Sequence, residues 1–249
     1  MLLVGRDRGR LDAVQSWIAG QVPDAVLIPI KADLSLLSDT RQAAGQILTA
    51  SPSPDILVNN AGTLSARRTR TTEGHELTLA VNHLAPFVLT RALLPGLAAG
   101  RPGRVVMVGS STSDRAAIDP DNLELEHGWF MSRAYARSKL ALLMTSIDTA
   151  EQVRGSGVTV NVVHPGVVAT GLVRSGGIAQ LVWKAMARVA LTEQQGADTP
   201  LHVALSPVLD GVSGCYLKRR AVVTPNRRAL DPVLRARVTA ATEQLVGPA

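Results

Sequence analysis

The chain is expected to fold as one α/β domain on a doubly wound parallel sheet of the Rossmann-like kind. Three observations predict this. Short apolar runs alternate with longer stretches of helical periodicity. The polar residues able to do chemistry cluster at the ends of those runs. The composition, 46% hydrophobic and 18% charged over 249 residues, suits one sizeable core. Aromatic residues are only 3%, so that core must rest on Ala, Val, Leu and Ile.

Each element has its own justification. MLLV (1–4) reads as a strand, followed by an amphipathic stretch through Leu11, Val14, Trp17 and Ile18. AVLIPI (25–30) is the next strand, and Leu36, Leu37 and Ile47 mark the helix after it. ILVNN (56–60) is a third strand, with a long helix from about Glu73 to Leu97 behind it. RVVMVG (104–109) is a fourth, and a helix carrying Tyr135 and Lys139 follows. VTVNVV (158–163) is a fifth. Ligands of such sheets bind outside the carboxyl ends of the strands. No internal repeat, linker or low-complexity segment interrupts the pattern, so residues 1–249 are read as one domain.

Several function classes are set aside by composition. The net charge of +6 comes mostly from arginine. The clusters ARRTR (66–70), KRR (218–220) and PNRR (225–228) carry no interleaved aromatics and read as solvated surface, not a nucleic-acid footprint. The single cysteine, Cys215, leaves no internal disulfide framework and fits a reducing cytoplasm. No run approaches the ~18 consecutive apolar residues of a membrane span. The scattered histidines give no metal-ligand spacing, so no metal is expected.

The chemistry is concentrated in Tyr135 and Lys139, one turn apart in AYARSK. At i, i+4 both side chains share a helix face. A tyrosine hydroxyl titrates near ~10, too high for efficient proton transfer at neutral pH, and an ammonium beside it favours the phenolate. The plainer alternative is a half-buried tyrosine beside a solvated lysine. Ser110 in GSST can be a capping serine and Asn82 in VNHLAPF a solvated polar position. NNAG (59–62) can be a strand-ending turn, and HPG (164–166) an ordinary strand exit.

Taken together and in this order, NNAG, Asn82, Ser110, Tyr135-x-x-x-Lys139 and HPG resemble the short-chain dehydrogenase/reductase family. The resemblance runs from Met1 to about Leu245. The long interval between Ser110 and Tyr135, with RAYARSKLA (133–141) and HPGVVATGL (164–172), is most similar to its retinol dehydrogenase branch. The resemblance implies that Tyr135 is the general acid and base, and that Lys139 lowers its pKa and bonds the nicotinamide ribose. It implies that Ser110 holds the substrate oxygen. Asn82 would maintain a helix bend and a proton-relaying water.

The same resemblance implies the cofactor contacts. Asp33 and Leu34 would meet the adenine, and Asn60, Ala61 and Gly62 the adenine ribose. Pro165, Gly166, Val167 and Thr170 would meet the nicotinamide carboxamide. Relatives that prefer NAD place an acid at the end of the strand that MLLV represents. Here that place is Gly5 and Arg6 follows, which suits a 2′-phosphate, so NADP(H) is preferred and NAD(H) is the alternative. Asp7 would be the ribose ligand if the register slips by two.

One feature departs from the family. The resemblance implies a strand, a Gly-rich turn and a helix ahead of the strand at Met1, a unit of roughly 30 residues. Either the protein extends upstream of Met1, or a short chain binds cofactor weakly and serves as a non-catalytic assembly partner. Residues 172–195 occupy the place of a substrate lid. Ile178, Leu181, Val182, Ala185, Met186 and Val189 recur there at helical spacing, opposite Gln180, Lys184 and Arg188. The reading is an apolar lid over a lipophilic carbonyl or alcohol, open to peripheral membrane contact, or else a helix packed on its own core. Thr112, Trp129 and Phe130 are further pocket candidates. A homodimer or homotetramer is expected from the resemblance.

Overall fold

The structure is a computed structural model that describes residues 1–100, 102–166 and 191–248. The expected Val167 and Thr170 contacts, and most of the 172–195 lid, lie outside the described residues.

The strands fall within a few residues of the expected runs: β1 (Leu2–Gly5), β2 (Ile28–Lys31), β3 (Ile56–Asn59), β4 (Arg104–Val108) and β5 (Thr159–His164). Two three-residue strands, β6 (Tyr216–Lys218) and β7 (Ala221–Val223), extend the sheet. The helices are α1 (Arg8–Gln21), α2 (Leu37–Ala50), α3 (Leu77–Ala99), α4 (Met131–Gln152), α5 (Glu193–Leu205) and α6 (Pro232–Val246). Strands β3 to β6 pair in parallel in sequence order, and β7 closes the sheet antiparallel to β6.

β1 and β2 pair in parallel with each other, Leu2 opposite Ile28 through Gly5 opposite Lys31, and stand as a separate two-stranded piece. Among the described residues nothing pairs β1 with β3. Val58 lies opposite Val106, so it belongs to the sheet face that α5 covers further along through Val203 and Ala204. At β3 that face is open, and Val58 is 46% exposed.

The main core lies on the other face. Val105, Met107, Val160 and Val162 of the sheet meet Leu89, Leu93 and Leu97 of α3 and Leu140 to Met144 of α4. Ile30, Ala32, Ala43 and Ala44 join it, which ties the β1–β2 piece to the rest through α2. Contact between α2 and α3 is close at Gly96, where a Cβ would come within 2.8 Å of Leu48 Cδ2 and 2.7 Å of the Pro52 carbonyl oxygen just past α2. By length and hydropathy α3 could cross a membrane, but 72% of its most apolar window is buried inside the fold, and it packs as a core helix.

One sequence expectation changes and another is refined. The amphipathic reading of α1 puts Val14 and Trp17 inside, whereas only Leu11 is buried and Trp17 is 68% exposed. The physical reason is that the helix meets little besides the edge pair β1–β2. The basic clusters are largely exposed, as expected, but several of their members are paired. Arg68 donates to the Leu125 and Glu124 carbonyl oxygens, Arg70 pairs with Glu126, Lys218 with Asp114, and Arg220 with Asp198.

Candidate active site

Because the strands of the main sheet run parallel from β3 to β6, the chain leaves β3, β4 and β5 at one end of that sheet. Asn59 ends β3 with its side chain buried, donating to Thr90 Oγ1 at 2.9 Å. The next residue, Asn60, is exposed, as is Gly62, while Ala61 is half-buried. The pair of asparagines therefore divides its work: one anchors the strand end and the other faces outward.

Asn82 sits in a π-helical turn, Ala80–Leu84, inserted in α3. Such turns are rare and widen a helix by one residue, which here aims the amide out of the helix. Its Oδ1 accepts from the Thr63 N–H at 2.7 Å, and its Nδ2 donates to the Thr63 carbonyl and to Ser138 Oγ, both at 3.0 Å. Ser138 in turn donates to the Tyr135 carbonyl at 2.8 Å. The fully buried Asn82 is thus a brace between the β3 exit and the helix turn that presents Tyr135 and Lys139. A solvated position is ruled out. Ser138 and Thr63 were not singled out in the sequence; Ser138 lies inside the YARSK motif, but its partner is 56 residues away.

Ser110 begins the turn after β4. Its Oγ accepts from Thr112 Oγ1 at 3.0 Å and from the Thr112 N–H at 3.3 Å, so it is also a capping serine. Capping leaves the hydroxyl's own hydrogen to be donated elsewhere. Burial raises the Tyr135 pKa above its ordinary value, and the nearby Ser110 hydroxyl acts the other way. Lys139 is 3% exposed and donates to the Val108 carbonyl oxygen at 2.7 Å. Burial lowers its pKa to about 8. The sequence expectation that Lys139 depresses the tyrosine differs from what the structure shows. The ammonium is engaged by a main-chain carbonyl at the end of β4, and the Tyr135 hydroxyl stays above its ordinary value.

The remaining expected residues are placed as follows. Pro165 and Gly166 leave β5 half-buried, and Gly166 has φ +93°, a conformation that favours glycine, with Leu191 packed where a Cβ would project. Arg6 is exposed at the end of β1 and makes no ion pair among the described residues. Asp7 is the N-cap of α1, accepting from the Arg10 N–H at 3.0 Å, with its side chain otherwise exposed. Asp33 caps the turn after β2, accepting from the Ser35 N–H at 3.0 Å, and its own N–H donates to Asp39. Asn82 reaches the Tyr135 carbonyl through Ser138, and Lys139 reaches the Val108 carbonyl two residues before Ser110, whereas Arg6, Asp33 and Leu34 belong to the separate β1–β2 piece. Trp129 is anchored by its Nε1–H on Glu76 at 3.3 Å, and Phe130 is 65% exposed.

A sequence profile described as short chain dehydrogenase matches residues 1–179. This chain belongs to the short chain dehydrogenase family. It is similar to Retinol dehydrogenase 14 of Mus musculus, 35% identical over 225 residues that cover 85% of this chain and 67% of that protein. Retinol dehydrogenase 12 of Homo sapiens is also 35% identical over 225 residues, covering 90% and 71%. Among solved structures, an uncharacterised protein from Mycobacterium paratuberculosis superposes with a TM-score of 0.77 at 26% identity, covering 98% of this chain and 83% of its own. A short chain dehydrogenase from Burkholderia cenocepacia J2315 in complex with NADP gives 0.67 at 26% identity, covering 87% and 84%. This short chain dehydrogenase is therefore an NAD(P)-dependent oxidoreductase of the retinol dehydrogenase branch. The motifs at the β3–β5 exits lie at one end of its sheet, and Lys139 on α4 reaches the end of β4 there.

Proposed function

We propose that this dehydrogenase moves a hydride between NADP(H) and a lipophilic carbonyl or alcohol, with Tyr135 as general acid and base. The observation that carries the reading is the convergence of Tyr135, Ser110 and Lys139 at the end of β4, braced through Asn82. A nicotinamide cofactor, when bound, supplies the hydride acceptor and donor. The residues present fit its ribose end. An ammonium has three donors, and one of those on Lys139 goes to Val108. The outward Asn60 and Gly62 at the β3 exit suit the adenine ribose, and Pro165 and Gly166 the carboxamide. Val167 and Thr170 are proposed for the same contact from sequence alone.

Tyr135, kept protonated by burial, donates its proton to the carbonyl oxygen during reduction and takes it back during oxidation. Ser110 donates to the same oxygen and stabilises the charge that develops there. Lys139 orients the ribose, and Asn82 holds the helix turn that presents both. Arg6 is proposed to meet the 2′-phosphate, which is the basis for preferring NADP(H) over NAD(H). Asp33 and Leu34 are proposed for the adenine. The retinol dehydrogenases named above support a lipophilic substrate, and the single cysteine supports a cytoplasmic setting. A homodimer or homotetramer is proposed on the family resemblance.

A non-catalytic assembly partner is the second reading, favoured by the break between β1 and β3. The test is NADPH oxidation with an apolar aldehyde. The wild-type chain should turn over, and Tyr135→Phe should lose about 10²–10⁴-fold in kcat with NADPH affinity retained. Activity retained in Tyr135→Phe would remove the acid from its role. No turnover in the wild type would favour the assembly partner.

A further inference from the structure

The Ser110 segment is anchored on β5 at two successive points. On one side of Ser110, the Gly109 N–H donates to the Val163 carbonyl at 2.8 Å. A Cβ on Gly109 would lie 2.8 Å from Val162 Cγ1, so the chain hugs β5 here. On the other side, the Ser111 N–H donates to the imidazole Nδ1 of His164 at 3.2 Å. Ser110 is the residue between these anchors.

We propose that His164 is a positioning residue for Ser110, and that its neutral imidazole is required for the anchor. The inference rests on the role proposed above for Ser110. Accepting through Nδ1 fixes the tautomer with the proton on Nε2. Protonation at Nδ1 would set one donor against another and release the Ser111 end of the turn.

The surroundings keep the ring neutral. His164 lies opposite Lys218 in the β5–β6 register. Lys218 and Arg219 face it from β6 and the following turn, and Asp114 faces it from the 3-10 turn after Ser110. Burial, then the Lys218 charge, holds the imidazole below its ordinary pKa. Asp114 acts the other way but is paired with Lys218. The acid limb of the activity profile should therefore belong to His164, since Tyr135 and Lys139 titrate on the alkaline side.

Two variants test this. His164→Asn keeps an acceptor oxygen that does not titrate, and His164→Leu removes the acceptor. The readouts are kcat and KM with an apolar aldehyde between pH 5 and 9, NADPH affinity by fluorescence, and the Ser111 amide shift by NMR. His164→Leu should lose about tenfold in kcat/KM at pH 7, the worth of one modest interaction, with NADPH affinity unchanged. His164→Asn should recover most of that and lose the acid limb. In the wild type, the Ser111 amide should titrate with the imidazole, and in His164→Asn it should not.

A Ser111 amide that does not titrate in the wild type would overturn the proposal whatever the activity. So would equal activity in His164→Leu and wild type, or an acid limb surviving in His164→Asn. Failure of the site reading itself would show differently, as a wild type without turnover or an active Tyr135→Phe.

Discussion

The sheet of β3 to β7 and the pair β1–β2 are built to different standards. In β4, four of five residues are buried, and α4 buries residues almost continuously from Ser138 to Ala150. In β1 every residue is only half-buried, and α1 buries Leu11 alone. Hydrogen bonds follow suit: Asn82, Ser138 and Lys139 are buried and partnered, whereas Arg6 lies in solvent. The residues proposed for proton transfer thus sit on the well-buried half, together with Asn60 to Gly62 at the β3 exit, whereas Arg6, Asp33 and Leu34, proposed for the 2′-phosphate and the adenine, sit on the half held by fewer contacts. Regions with few buried contacts open at lower free energy than a core. With the contacts proposed above, the reacting groups should be preset, and Arg6, Asp33 and Leu34 should gain order from the cofactor.

That contrast can be broken by substitution. Leu140 on α4 is fully buried, and Leu140→Ala should cost about 2–5 kcal/mol by urea denaturation. A cost below ~1 kcal/mol would mean the β3–β7 half is looser than described. Asn82→Ala removes a fully buried amide and leaves the Thr63 N–H without its acceptor, so about 1–3 kcal/mol should be lost, together with turnover. Turnover that survives would show that the brace to Ser138 does not position Tyr135. On the other half, Arg6→Asp should shift the NADPH-to-NADH ratio of kcat/KM by about tenfold or more towards NADH, since a charged hydrogen bond is worth roughly 1.5–3 kcal/mol. An unchanged ratio would take the phosphate away from Arg6. Trp17→Ala should stay within ~0.5 kcal/mol, as exposed positions do. A larger loss would mean that α1 is covered in solution.

Much of this was legible in the sequence because runs such as RVVMVG are pure strand signals bounded by glycine. The first five strands fell within a few residues of expectation for that reason. β6 and β7 were missed, since three residues carry no period and the neighbouring KRR looked like solvent-facing charge. In the fold Lys218 instead reaches Asp114 and lies 5.1 Å over the Tyr216 ring, a pairing between residues more than a hundred apart. The site was legible as residue types at a spacing. Its energetics were not. Spacing put Tyr135 and Lys139 on one helix face, but the partner of Lys139 is a carbonyl on β4, which only tertiary packing supplies. His164 stood in plain view within HPG, yet its contact with Ser111 depends on the β4–β5 pairing. The uncovered flank of α1 was likewise invisible, because amphipathic periodicity states which face is apolar and not whether anything covers it.

The measurement that reaches the centre of this account is hydrogen–deuterium exchange with and without NADPH. A dinucleotide spanning both halves should slow exchange at Asn60–Gly62 beside β3 and also at Gly5–Arg6 and Asp33–Leu34 beside β1 and β2. The larger gain should come in the second group, where the free chain is more open. Protection at the β3 exit alone, or at neither place, would contradict a cofactor site shared by the two halves.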